Sequence, residues 1–341
     1  MKFLAVVFST SVLVACGGGG GGGDASSGGA TGSTTNVPPV AALNSSNQNY
    51  AAQDATSTAF MPLSGAQTLT GAQTTDESVL FNIARDQLDK LPTYMADAKA
   101  NSTLTGVVQS QTTSCQSGGS LTISVNDADN NSVLSAGDSL TIVSNNCVMS
   151  SGTVTGSLGF VINSLSNFQS SSSTNYSLGV TMNYGNFTVT SSGLIASING
   201  SLSLAISSTG TNAWSETIST PSLAVSGNYA GVTRSRSLTN YSSTATRTPN
   251  ATYSYLTSYS INGTVTSSAL STQSITFATS TPFVRRSTNA YPSSGAMVIT
   301  GASNSKLRIT TLNNVQVTQD LDANGDDIYE STSTVNWNSL M

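Results

Sequence analysis

Tyr176, Leu178, Val180, Met182 and Tyr184 alternate with Ser177, Gly179, Thr181 and Asn183. Successive side chains of a strand point to opposite faces, so this order makes one apolar face and one polar face. The same period of two runs through Leu121, Ile123 and Val125, and through Leu158, Phe160 and Ile162. It continues through Ile198, Leu202, Leu204 and Ile206, and returns at Ile275 and Phe277. Ser, Thr, Asn and Gly fill the positions between. Turn-forming residues interrupt the pattern often enough for hairpins and a meander. The expected fold class is therefore mainly β: a large antiparallel sheet, curved or partly closed into a barrel, with a β-sandwich as the alternative. A membrane-spanning barrel needs a continuous apolar outer band, and these strands are too rich in Ser and Thr to supply one. Ile198-Asn199-Gly200 and Ile261-Asn262-Gly263 echo each other, as hairpin turns or as glycine-softened strand positions.

One segment before the strands follows a different period. Leu80, Ile83, Ala84, Leu88 and Leu91 fall on one helical face, with Arg85, Asp86, Asp89 and Lys90 on the other. Thr74 with Glu77 has the spacing of a capping box, and Pro92 ends or kinks the helix. One N-terminal amphipathic helix over 75–91 is expected, packed on the sheet, with a second short turn, Tyr94 to Ala100, after it.

The start of the chain has its own logic. Lys2 precedes an apolar run from Phe3 to Val14, too short to cross a bilayer at about 20 residues. Residues 1–15 read as a signal peptide. Leu13-Val14-Ala15-Cys16 resembles the lipobox of bacterial lipoproteins. That resemblance implies a removed leader, acyl chains such as palmitate on Cys16, and attachment to the membrane through lipid. Gly17 in place of Asp after the cysteine favours the outer membrane. Residues 16–74 then read as an acylated cysteine and a flexible Gly/Ser/Thr-rich tether. Val40 to Leu43 and Phe60 to Leu63 are short apolar patches able to dock on the domain, which spans 75–341.

Composition narrows the chemistry. The chain has 341 residues, only 8% of them charged, and no histidine. That excludes Ser-His-Asp and Cys-His catalysis and most catalytic zinc sites. After Cys16, only Cys115 and Cys147 remain, and an even pair in an exported chain points to one disulfide closing a hairpin over 115–147. Between Ser139 and Gln319 seven basic residues face Glu216 alone, and Arg234 with Arg236, and Lys306 with Arg308, share strand faces. Such faces suit phosphates of lipopolysaccharide or anionic lipid. A net charge of −5 on an exported chain argues against nucleic acid.

The acids are placed unevenly. Of nine between Asn101 and Met341, eight lie in two short stretches. DADNNSVLSAGD, Asp127 to Asp138, resembles the twelve-residue calcium loop of the EF-hand. The resemblance implies ligands at Asp127, Asp129, Asn131, the Val133 carbonyl, Ser135 and Asp138. Ser132 stands where that loop prefers glycine, and Asp138 replaces its longer closing glutamate. DLDANGDDIYE repeats the spacing with Asp320, Asp322 and Asn324, puts Gly325 at the turn, and offers the Asp326 carbonyl and Glu330. Structural calcium is the cofactor expected in both.

The functional expectation is a non-catalytic lipoprotein of the cell outer membrane, with a β-rich binding or envelope-structural domain. Its partners would be lipid, lipopolysaccharide or an envelope protein. A lipid or lipoprotein carrier with an apolar cavity lined by Leu178, Val180 and Met182 is the second expectation. A histidine-independent enzyme acting on polysaccharide is the third.

Overall fold

A computed structural model of the chain describes residues 37–64, 77–100, 109–149, 152–170, 173–191, 193–229 and 232–341. The leader, Cys16 and Thr74 lie outside these residues. Fourteen strands form one antiparallel sheet in simple sequence order. They are β1 (Gln109–Ser114), β2 (Ser120–Asn126), β3 (Ser139–Met149), β4 (Gly152–Ser166), β5 (Tyr176–Ser191), β6 (Leu194–Gly210) and β7 (Ala213–Tyr229). They continue with β8 (Val232–Asn250), β9 (Ser254–Ser267), β10 (Gln273–Arg286), β11 (Ser294–Thr300), β12 (Lys306–Thr311), β13 (Gln316–Asp322) and β14 (Ser331–Asn336). The sheet is not closed, since β1 and β14 end the order as separate edges. The curved-sheet expectation is met, and neither the barrel nor the sandwich is formed.

The alternation read from sequence is the burial pattern of the inner face. Tyr176, Leu178, Val180, Met182 and Tyr184 are all buried, while Asn183 is exposed. A register shift between Tyr184 and Phe187 then moves the inner set from even to odd positions, so that Phe187 and Val189 continue it. A bulge inserts one unpaired residue and bends the strand, which is how a long strand keeps its apolar side on a curving core. Both echoing Ile-Asn-Gly triplets lie inside strands, in β6 and β9. Gly200 has φ +127°, and a Cβ there would sit 2.6 Å from the Ser222 carbonyl oxygen. That position demands glycine.

Among the described residues three α-helices cover the inner face, where one amphipathic helix and a short following turn were expected. The amphipathic segment forms α2, Ser78–Leu88, and Leu91 starts a second element, α3, Leu91–Ala100. Pro92 is the second residue of α3, where its missing N–H costs no helical hydrogen bond. The unexpected element is α1, Gln48–Ser64, inside the stretch read as tether. The tether expected over 16–74 is therefore too long, because the folded unit begins at Pro38. α1 is buried on nearly every side: Ala51, Ala52, Ala55, Ala59, Phe60 and Leu63 are at most 2% exposed. Asp54, Thr56, Ser57 and Thr58 are buried with them. A helix buried all round carries no one-sided stripe, and small residues let it sit close to the sheet. It packs over β9 to β12, while α2 covers β5 and β6 and α3 covers β2.

Specific bonds fix this layer. Val40 bridges Ser274 in parallel, and the Ala41 N–H donates to the Ser274 carbonyl at 2.9 Å. Arg236, from the inner face of β8, donates to Asp54 of α1 at 3.1 Å. Glu77, just before α2, lies 3.6 Å from the same guanidinium, inside ion-pair range but beyond a hydrogen bond. Ser267 donates to the other Asp54 oxygen at 2.5 Å. Phe60 meets Tyr259, Phe283 and Trp337 at ring separations of 5.5–6.3 Å, the spacing of tilted and edge-on aromatic pairs.

Candidate metal-binding loops and the inner polar cluster

Cys115 and Cys147 form a disulfide with a Cα separation of 5.4 Å. It ties the end of β1 to β3, as the cysteine count implied, and frames the β2–β3 hairpin. At the tip of that hairpin, carboxylate oxygens of Asp127, Asp129 and Asp138 lie within 4.8 Å of one another. Three acids so close repel unless protons, cations or donors intervene. Backbone donors supply part of the answer. Asp127 Oδ2 accepts the Ser132 N–H at 2.7 Å. Asp138, fully buried, accepts the Ala128 and Ser135 N–H groups at 2.9 and 2.7 Å. Ser132 has φ +62°, so a serine does adopt the left-handed turn usually left to glycine. Asn131 Oδ1 accepts the Val133 N–H, and its amide nitrogen donates to Asp129. The Ser135 hydroxyl donates to Asp129 at 3.1 Å. Desolvation pushes the Asp129 carboxyl up, but hydrogen bonds from Asn131 and Ser135 outweigh it and hold it below its usual value. Asp127 Oδ1 is buried and has no hydrogen-bond partner.

The second loop has the same wiring in a different register. Asp322 Oδ2 accepts the Asp327 N–H at 3.0 Å, as Asp127 takes the N–H five residues on. Asn324 accepts the Asp326 N–H, and Asp326 accepts the Ile328 N–H, both at 2.9 Å. In the first loop Asp129 takes the Asn131 N–H, and Asn131 that of Val133. Asp327, at φ +69°, holds the place of Ser132. The loop therefore starts at Asp322 and not at Asp320. Glu330 then stands ninth, and its Oε2 accepts the Ala323 N–H at 2.9 Å, as Asp138 accepts that of Ala128. Oxygens of Asp322, Asp326 and Glu330 lie within 4.8 Å of one another.

Asp320 does not join that group. It sits inside β13 opposite Arg308 of β12, which donates to it at 3.0 and 3.1 Å, and the Thr332 hydroxyl donates at 2.8 Å. The sequence held the signal for the right register. Residue seven of the first loop is the apolar Val133, and only a start at Asp322 puts an apolar residue, Ile328, seventh.

A polar cluster absent from the sequence reading occupies the inner face near one end of the sheet. Cross-strand pairing places Trp214, Arg247, Thr257 and Arg285 in one row. Arg247 lies between the Trp214 and Tyr255 rings at 4.9 and 3.9 Å from their centroids. Arg285, 1% exposed, donates to the Tyr259 hydroxyl at 3.2 Å and the Asn289 carbonyl at 3.0 Å. Two residues along β7 from Trp214, Glu216 is 4% exposed. Burial pushes its carboxyl up to about 8, against the pull of Arg85 and Arg247. Arg85, placed on the polar side of its helix from sequence, is half-buried and faces this region.

The basic strand faces also differ from expectation. Arg236 turns inward to Asp54, and Arg234 donates to Gln53 at 3.2 Å. Lys306 pairs with Asp327, and Arg308 with Asp320. These cations are engaged with the protein's own acids and amides and do not form an open row.

Beneath α2 an apolar cavity is lined by Phe81, Arg85, Leu88, Leu178, Met182 and Leu202 among others. Its volume is about 30 Å³, room for little more than a water molecule or two. Val180 lies in the packed core and not on its wall. No family model, no curated protein and no solved structure matches the chain.

Proposed function

We propose that this chain is an outer-membrane lipoprotein, acylated at Cys16, whose β-rich domain binds or braces envelope components without catalysis. The observation that carries the binding or bracing role is the packing of the inner face. A lipid carrier holds its cargo in an apolar cavity of several hundred Å³. The apolar cavity under α2 holds about 30 Å³, and the wider recesses, about 350 Å³ around Ser197 and Ser235 and about 470 Å³ between α3 and β1, are lined mostly by polar residues. The outer face, the loops and these polar recesses are then the surfaces left to act. The disulfide supports export, because such bonds persist in oxidising compartments. Calcium at Asp127, Asp129, Asn131, Val133, Ser135 and Asp138, and at Asp322, Asn324, Asp326, Ile328 and Glu330, is part of the same reading. The buried and unpartnered Asp127 Oδ1 supports it at the first loop. Affinity would be weak, at about 10⁻⁴–10⁻³ M, as in other extracellular modules.

Intact mass of the chain purified from membranes tests the anchor. A leaderless product carrying acyl mass on its first residue, recovered with outer membranes, is expected. An unprocessed leader or a bare thiol rejects it. The carrier reading keeps one observation in its favour, the recess of about 470 Å³ between α3 and the β1–β2 strands. Native mass spectrometry decides it: co-purified lipid in stoichiometric amount favours the carrier, and its absence the packed binding domain.

A further inference from the structure

Among the described residues, β1 pairs with β2 alone and β14 with β13 alone. Among these residues each edge strand therefore leaves a row of backbone donors and acceptors without a strand partner. Proteins normally blunt such edges with charge, proline or bulges. Neither edge has any of these. β1 reads Gln-Ser-Gln-Thr-Thr-Ser and β14 reads Ser-Thr-Ser-Thr-Val-Asn, both uncharged and free of proline. Their registers run unbroken, while most of the interior pairings from β3–β4 to β10–β11 contain shifts. The prolines of the sheet, Pro221, Pro249 and Pro282, all lie in interior strands.

We propose that the two edges are complementary halves of one interface, with β14 of one copy pairing antiparallel to β1 of a second copy. Four features favour this occupant. Both strands are six residues long. Neither carries charge, so pairing meets no repulsion along the ladder. A strand added in this way continues the up-and-down order of the whole sheet. The pairing also sets Asn336 against Gln109 of the next copy. The β12–β13 turn, with exposed Leu312 and Val315, then lies at the same end as exposed Val133 of that copy. The two acidic loops fall at opposite ends of the joined strands. Such a contact is heterologous, so it builds chains of copies and not closed dimers. A ladder of this length is small for a stable interface, so assembly depends on concentration.

Sedimentation velocity of the full chain over a wide concentration range tests this. Gln111→Lys on β1 and Thr334→Lys on β14 both alter exposed residues, and unchanged thermal melts confirm that each still folds. The wild-type mass should rise with concentration, and each variant alone should stay monomeric. Mixed together, the variants should give a dimer and nothing larger, because one free β14 meets one free β1. A wild-type chain that stays monomeric throughout overturns the proposal. So does a single variant that still dimerises, which would mean that an edge pairs with its own kind.

Discussion

Glu216 offers the sharpest test of the inner layer. Its carboxyl is pushed up to about 8 by burial, from an ordinary value of 4.5. A raised folded-state pKa means that the folded chain holds a proton that the unfolded chain has released. Stability is then fullest below the unfolded value, falls as pH rises between about 4.5 and about 8, and levels off above. At 1.36 kcal/mol per pKa unit, the whole fall is of the order of 5 kcal/mol. Glu216→Gln keeps the shape and removes the ionisation. The measurement is urea denaturation of both proteins from pH 4 to 9, taking the difference between them so that every other group cancels. The wild type should lose several kcal/mol relative to the variant across that range, with the variant the more stable at pH 8 and above. The net effect already includes Arg85 and Arg247, which attract the ionised form and would be left facing a neutral amide. Parallel pH profiles, or a variant less stable than the wild type at pH 8, would show that those arginines govern the site and that the burial argument fails.

The other expectations are more direct. Calcium at 100 times its dissociation constant should stabilise the chain by roughly 2.7 kcal/mol per site, read as a rise in melting midpoint that a chelator reverses. An unchanged midpoint in folded protein rejects the ion. Asp322→Asn should weaken calcium binding in calorimetry while Asp320→Asn leaves it intact, and equal losses would restore the register starting at Asp320. Asp54→Ala should cost about 3 kcal/mol or more, because it leaves Arg236 buried with only the more distant Glu77. A loss under about 1 kcal/mol, typical of surface ion pairs, would show that α1 is held by packing alone. Replacing both Cys115 and Cys147 with Ser should cost roughly 3–4 kcal/mol for a loop of this length, and a loss near zero in denaturant titration would place the stability elsewhere.

The strands were legible because their burial is one-sided. Alternation at Tyr176 to Tyr184 states both a strand and its inner face, and no tertiary detail is needed to read it. What it does not state is closure, because a strand inside a barrel and a strand inside an open sheet carry the same period. Closure depends on whether the first and last strands meet, and nothing in Gln109–Ser114 or Ser331–Asn336 encodes that locally. α2 was legible for the same one-sided reason. α1 was not, because burial on all sides erases the periodicity that identifies a helix. Its Ala, Ser and Thr residues look like linker composition until Arg236, distant in sequence, supplies the cation that lets Asp54 go inside.

The polar sites divide along the same line. The acidic loops are local, so their oxygen spacing can be read directly, and the apolar seventh residue, Val133 or Ile328, marks where each turn begins. The cluster around Glu216 is assembled from β7, β8, β9, β10 and α2, and no short window contains it. Its members look unrelated in sequence, and a lone glutamate in a Ser/Thr-rich strand gives no sign that it faces two arginines from elsewhere. The chain has few charges, and structure spends several of them inside: Asp54, Glu77, Glu216, Arg236, Arg247 and Arg285 are all buried. A solvated exterior built from hydroxyls and amides follows from that placement. It is also why the two edge strands carry no charge to keep other strands away.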